Sequence, residues 1–191
     1  MIKILLVRHG QDEDNADGIL NGHRDMNLTK LGREQALIVA EKLKDDDIEI
    51  ILSSPLKRAQ ETANIIADKL DITKIQVEEL LKERDFGILT GKLFTDIPKL
   101  AKKILPIDNV NYFIEVEGAE DFPALYKRAQ SFLEKVTQAY QNKVVVVVTH
   151  GDIGKIIRAA YHNWTWEEGL KTPRFENTGI LHLKEKEDVV E

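Results

Sequence analysis

The chain contains no cysteine, which removes disulfides, thiolate nucleophiles and thiolate metal ligands from consideration together. Positive charge is in deficit. With 27 Lys and Arg against 33 Asp and Glu, a net charge of -6, there is no basic stripe to neutralise a nucleic-acid backbone. Long apolar runs are missing too, since the longest, around Val144 to Val148, falls far short of the roughly 20 residues that span a bilayer. Met1 to Val7 has neither the h-region nor the cleavage site of a signal peptide. These absences predict a cytoplasmic protein with no nucleic-acid and no membrane partner. The phosphate loop Gly-x-x-x-x-Gly-Lys-Ser/Thr occurs nowhere, so a nucleotide-hydrolysing enzyme would lack its cradle.

What is there is an ordinary globular composition, 42% hydrophobic and 31% charged over 191 residues, the size of one domain with a sizeable core. Two stretches organise it. Ile4-Leu5-Leu6-Val7 runs into Arg8-His9-Gly10, and Val145-Val146-Val147-Val148 runs into Thr149-His150-Gly151. Uninterrupted apolar runs ending at Gly read as strands buried on both faces of a parallel sheet. Ligands sit at the carboxyl ends of such strands. A lone histidine there would read as a hydrogen-bonded structural residue; two in the same setting, one beside Arg8, read as a site. The fold class expected is α/β, a single-domain three-layer sandwich with a mainly parallel central sheet and helices on both faces.

Between these strands, Gln11 to Asn27 has loop composition and the length of a site-shaping loop. Thr29 is placed to cap a helix with Ala36, Val39, Ala40 and Leu43 on its buried face, ending at Asp45-Asp46-Asp47. Ile48 to Leu52 reads as a short strand, and Ser54 and Pro55 as the N-cap and first residue of a helix with Ala59, Ala63, Ile66 and Leu70 inward. Arg58 then falls in that helix's first turn, where the helix dipole disfavours a cation unless an anion is held there. A short strand is expected near Gln76 to Glu78. Leu93 to Asn111 reads as a short helix plus loop broken by Pro98 and Pro106, part of a small insertion at about 88–118 covering the site. Phe122, Leu125, Ala129, Phe132, Val136 and Tyr140 mark a long amphipathic helix. Ile153, Ile156, Ile157 and Ala160 mark another, starting just after His150. Trp164 and Trp166 flank a polar loop as packing residues, Asn177 to Leu183 is a final strand, and Lys184 to Glu191 a frayed charged tail.

Two histidines, two arginines and helix N-termini on one rim favour an anion with several oxygens, of which phosphate is the commonest. His9 and His150 with Glu83 could be metal ligands, but no His-x-x-x-His pair exists and the arginines would repel a divalent cation. A neutral imidazole among arginines suits attack on phosphorus instead.

The chain resembles the histidine phosphatase superfamily, also called the phosphoglycerate mutase-like family. The resemblance rests on Arg8-His9-Gly10 with Asn15, on Gly-x-x-Asp-x-x-Leu-Thr-x-x-Gly-x-x-Gln-Ala from Gly22 to Ala36, and on Ser54-Pro55-Leu56-Lys57-Arg58-Ala59 with Thr62-Ala63. It continues through Glu83 ahead of Phe86-Gly87 and Gly91, Gly118-Ala119-Glu120 with Arg128, and Thr149-His150-Gly151. It implies His9 as phosphohistidine nucleophile, Arg8, Arg58 and His150 as the phosphate pocket, and Glu83 as the acid that protonates the leaving oxygen. Asn15 and the backbone near Asn21 and Gly22 would help to hold phosphoryl group and substrate. Without the family, Glu83 reads as an ion-pair partner of Arg84 or Lys82. One departure is Gln11-Asp12, where many members have Glu-Thr or Gln-Thr; Asp12 is expected to add negative charge near the pocket mouth.

The function expected is a metal-independent phosphomonoesterase acting through phosphohistidine on small phosphorylated metabolites, with no cofactor. The alternatives are a cofactor-dependent phosphoglycerate mutase and, from another class, a binding or regulatory module that keeps the pocket without turnover. The segment after Gly91 favours the phosphatase, being shorter than the insertion associated with mutases. Nothing in the sequence sets an oligomeric state.

Overall fold

A computed structural model describes residues 2–107, 109–183 and 189–190. Its centre is a six-stranded sheet formed by β1 (Lys3–Arg8), β2 (Ile50–Ser53), β3 (Ile75–Val77), β6 (Val144–Thr149), β7 (Ile180–Leu183) and β8 (Val189–Val190), ordered β3-β2-β6-β1-β7-β8. The first four in that order are parallel; β7 runs antiparallel to β1, and β8 to β7. The apolar runs of β1 and β6 lie side by side in register from Lys3–Val144 to Arg8–Thr149. Arg8-His9 and Thr149-His150 therefore leave the sheet at the same rim.

Alternate residues of each central strand feed opposite faces, which is why these strands read as unbroken apolar runs. Leu5, Val7, Ile51, Val146 and Val148 pack on α2 (Lys30–Leu43) and α3 (Lys57–Lys69). Ile4, Leu6, Leu52, Val145 and Val147 pack on α5 (Phe122–Ala139), α6 (Gly151–Tyr161) and α7 (Trp166–Leu170). The result is the expected three-layer α/β sandwich. Fully burying each such side chain is worth ~1.5–3 kcal/mol. Thr29 caps α2 as expected, its Oγ1 accepting the Gly32 N–H at 3.0 Å. Gly10 and Gly32 bring helix and strand end together: a Cβ on Gly10 would lie 2.3 Å from the Gly32 carbonyl oxygen. No helix among the described residues is long and apolar enough to cross a membrane.

The structure corrects several local expectations. The stretch after β1 contains a short helix, α1 (Glu13–Asp17), capped by Asp12. β2 runs Ile50–Ser53 rather than from Ile48, and α3 starts at Lys57 rather than Pro55, with Leu56 as N-cap and no side-chain cap. Ser54 Oγ is engaged by the Leu56 N–H and by His150. Leu93 to Asn111 does contain the expected short helix, but a hairpin rather than a loop follows it. Pro98 lies in the first turn of α4 (Ile97–Leu100), where its missing N–H costs nothing, and a hairpin follows, β4 (Lys103–Ile107) with β5 (Val110–Glu115). Pro106 is tolerated because each strand of a two-stranded ribbon has a free edge. Tyr112 and Phe113 anchor the hairpin on opposite sides, Tyr112 in the main core and Phe113 in a small cluster with Leu20, Phe86, Leu89 and Ile97. Trp164 and Trp166 do pack, on His162 and Phe122 respectively, but Trp166 opens α7 through a Thr165–Glu168 capping box rather than bordering a loop. In the tail, residues 184–188 and 191 lie outside the described residues, while Val189 and Val190 pair with His182 and Leu181.

Candidate active site

His9 and His150 leave adjacent strands with ring centroids 5.0 Å apart, and both are buried. His9 Nδ1 lies 2.7 Å from the Gly10 carbonyl oxygen. A carbonyl only accepts, so Nδ1 carries the proton and Nε2 keeps its lone pair. That lone pair receives the Arg58 Nε–H at 3.2 Å. Burial first, then Arg58 and Arg8, hold the His9 imidazole well below its ordinary titration range. It is neutral and its Nε2 is unprotonated, the state a nucleophile needs.

His150 is the N-cap of α6, and burial, then Arg58, His9 and Arg8, keep it neutral as well. Its Nε2 lies 2.7 Å from Ser54 Oγ, and its buried Nδ1 has no partner among the described residues. Arg8 gives one guanidinium N–H to the Phe175 carbonyl at 2.8 Å, while its buried Nε is unsatisfied. An unmade buried donor is costly, and a ligand oxygen would satisfy the Arg8 Nε–H.

Arg58 explains its own placement. Its Nη1 and Nη2 donate to the Arg24 and Gly22 carbonyls at 2.7 and 2.8 Å, which folds the 18–29 loop over the site. Gly22 adopts a positive φ of 48° to aim its carbonyl there. The anion expected beside Arg58 comes from within the chain: Asp12 Oδ2 is 3.3 Å from Nε, both side chains fully buried. Asp12 is thus not at the pocket mouth, because capping α1 through the Asn15 N–H and accepting Asn21 Nδ2 at 2.6 Å draw it inward.

Glu83 is buried, and its oxygens accept the backbone N–H groups of Arg84, Asp152 and Ile153. It makes no ion pair with Arg84, which bonds Asp152 at 2.8 Å and lies against the Phe113 and Phe122 rings. Burial, then Asp152, raises the Glu83 carboxyl above the usual carboxylate range despite those N–H bonds. It is a carboxyl biased towards holding a proton. A cavity of about 300 Å³ opens beside these groups, bordered by Arg8, Asn15, Asn21, Glu83, the hairpin residues Asn109 to Phe113, and Arg174. No group of three or more His, Asp or Glu among the described residues could hold a metal ion.

All eight residues singled out from the sequence, Arg8, His9, Asn15, Asn21, Gly22, Arg58, Glu83 and His150, therefore meet around one rim. Sequence reasoning missed Ser54 and Asn177, whose Nδ2 lies 3.0 Å from both the His9 carbonyl and Asn15 Oδ1.

The sequence matches the model of the histidine phosphatase superfamily, branch 1, over residues 4–190. The chain belongs to that family. Within the histidine phosphatases it is 35% identical over 181 residues to "Phosphoglycerate mutase-like protein 4" of Arabidopsis thaliana, covering 93% of this chain and 77% of the relative. It is 33% identical to "Phosphoserine phosphatase 1" of Hydrogenobacter thermophilus, over 100% and 90% of the two. Among solved structures, phosphoserine phosphatase from Entamoeba histolytica superposes on all of this chain and 95% of its own. With phosphoserine bound to a mutant form the TM-score is 0.79 at 27% identity; with 3-phosphoglyceric acid it is 0.77 at 28%. Phosphatases and mutases both occur among these relatives, and the fold and phosphomonoesterase class are common ground with this histidine phosphatase.

Proposed function

We propose that the protein hydrolyses small phosphorylated metabolites through a phosphohistidine on His9, without metal or cofactor, as a cytoplasmic single-domain enzyme whose 88–118 segment covers the site. The observation that carries this reading is the His9 ring, neutral, with its Nδ1 proton on the Gly10 carbonyl and its Nε2 lone pair facing Arg58. Nε2 attacks phosphorus, the P–O bond to the leaving group breaks, and its electron pair is met by the proton of Glu83. Arg8, Arg58 and His150 hold the phosphoryl oxygens, with Asn15, Asn21 and the Gly22 turn positioning them. Water then attacks phosphorus, gives its proton to Glu83, and the P–N bond breaks to restore His9. The two arginines supply the charge stabilisation a divalent ion would otherwise give.

Relatives named as mutases favour one second reading, a phosphoglycerate mutase. A mutase must keep water from the phosphohistidine while an intermediate turns, which calls for a substantial lid. The cover here is a few short helical turns and a two-stranded hairpin with an exposed tip. The test is a panel of phosphomonoesters, including phosphoserine, and 3-phosphoglycerate with and without 2,3-bisphosphoglycerate, following isomerisation and free phosphate. Phosphate release that survives chelator and is blocked by vanadate is the expected result. Isomerisation with negligible phosphate release would establish the mutase, and phosphate binding with no ester turned over would establish a binding module.

A further inference from the structure

The charges around the phosphoryl site sum to an unexpected total. Arg24 is paired with Asp14, Arg84 with Asp152, Arg128 with Glu120 and Arg174 with Glu176. His9 and His150 are neutral, and Glu83 is biased towards its protonated form. Lys155 also borders the cavity, its ammonium held by Tyr112 Oη and the Leu170 and Thr172 carbonyls. Around the nucleophilic nitrogen itself stand Arg8, Arg58 and the Asp12 carboxylate, which lies one contact from the guanidinium that touches that nitrogen. Asp12 faces Arg58 on α3, Asn21 in the 18–29 loop and Asp14 on its own helix, with Arg8 within its field at the end of β1. Burial raises the Asp12 carboxyl, whereas the adjoining Arg58 guanidinium, the Asn15 N–H and Asn21 favour its charged form, so it is a carboxylate poised to accept a proton when a second anion enters. A neutral residue in its place would leave two positive charges, a match for a phosphoryl dianion. With Asp12 the pocket balances one.

We propose that Asp12 makes this pocket charge-selective: by offsetting Arg58 it favours a phosphoryl monoanion over a dianion, so that binding takes up a proton and inorganic phosphate is released readily at neutral and higher pH. The proposal rests on the phosphatase reading and deepens it. A dianion beside these buried groups would leave one uncompensated negative charge, which a buried site avoids by taking up a proton. The proton comes from solvent and resides on a phosphoryl oxygen or on Asp12, and no other bond changes. Monoesters lose their second proton with a pKa near 6, so selectivity acts across the neutral range. Arg58 stays anchored without Asp12, since its two carbonyl contacts are independent of that carboxylate.

The test is calorimetric titration of the intact protein with inorganic phosphate at pH 8 in two buffers of different ionisation enthalpy, together with phosphate inhibition of nitrophenyl phosphate hydrolysis from pH 5.5 to 8.5. In the wild type, uptake of close to one proton is expected, with the inhibition constant rising nearly tenfold per pH unit above the second ionisation of phosphate. Asp12→Asn and Asp12→Thr, both competent caps for α1, should flatten that rise and bind phosphate about tenfold more tightly at pH 8. No proton uptake by the wild type overturns the proposal even if both variants fail to fold. Unchanged affinity and slope in folded variants also overturns it, leaving Asp12 a helix cap. A wild type that binds no phosphate at all would sink the phosphatase reading itself.

Discussion

The rim formed by the ends of β1 and β6 and the cover formed by residues 88–118 border one cavity, yet they are built in opposite ways. At the rim, His9, Arg58 and His150 are at most 2% exposed, and each is tied to groups distant in the chain. The cover rests on a small apolar cluster and, through Tyr112, on the main core; it presents Ile88, Leu93 and Phe94 at 42–48% exposure and offers Asn109 and Asn111 at an exposed hairpin tip. Reacting groups must be held to fractions of an ångström, which buried strand ends and interlocked hydrogen bonds achieve. Groups that select a leaving group need only border the cavity, and a peripheral hairpin can vary without disturbing the sheet. In this division we propose that the rim sets the chemistry and the cover the substrate.

The largest effect is expected from Arg58→Met. It removes the cation at the nucleophile and leaves the Gly22 and Arg24 carbonyls and Asp12 unpaired, so kcat/KM should fall at least ~10²–10³-fold on every ester. Arg58→Lys should not restore it, because a single ammonium cannot reproduce the fork to two carbonyls. A loss confined to one substrate would show that the rim also selects.

Glu83→Gln comes next. Hydrolysis of alkyl phosphates should slow ~10²–10⁴-fold, and that of a nitrophenyl ester, whose leaving group departs unprotonated, far less. Because the Glu83 carboxyl is raised, wild-type activity on alkyl esters should fall as pH rises through that raised value, and this limb should vanish in the variant. On the acid side His9 stays neutral to well below its ordinary range, so the rate should show no acid limb at the ordinary histidine value. The same depression governs stability. The unfolded chain binds protons at His9 and His150 that the folded chain refuses, so the melting temperature should decline as pH falls below the ordinary histidine value of ~6.5.

Ser54→Ala should cost ~1–3 kcal/mol by stranding buried His150 Nε2, with a proportionate loss in kcat on all substrates alike. The smallest effect is expected at the cover. Asn109→Ala and Asn111→Ala should shift KM among metabolites while changing nitrophenyl phosphate turnover by no more than about twofold. A uniform loss of kcat there would mean that the hairpin belongs to the catalytic apparatus.

The same contrast governs what the sequence reveals. A central parallel strand must be apolar on both faces, so Ile4–Val7 and Val145–Val148 announced themselves, and the histidines that follow were located with them. The hairpin was hidden because a two-stranded ribbon buries little: Lys103–Ile107 alternates only weakly and contains Pro106, which argues against a strand. Ser54 followed by Pro55 carries the signature of a helix start, and only the packing of β6 beside β2 shows that its hydroxyl serves His150. Asp12 was visible as a departure from the family pattern, but its burial depends on Arg58, which is distant in the chain, and on Asn21.

The rim is proposed to transfer phosphoryl through His9. The direct measurement is to quench the enzyme in turnover with radiolabelled substrate and follow the protein-bound label. A label stable in alkali, lost in acid, mapping to the peptide that carries His9 and absent from His9→Ala is the predicted result. A label retained in His9→Ala, or one that is acid-stable, would contradict it.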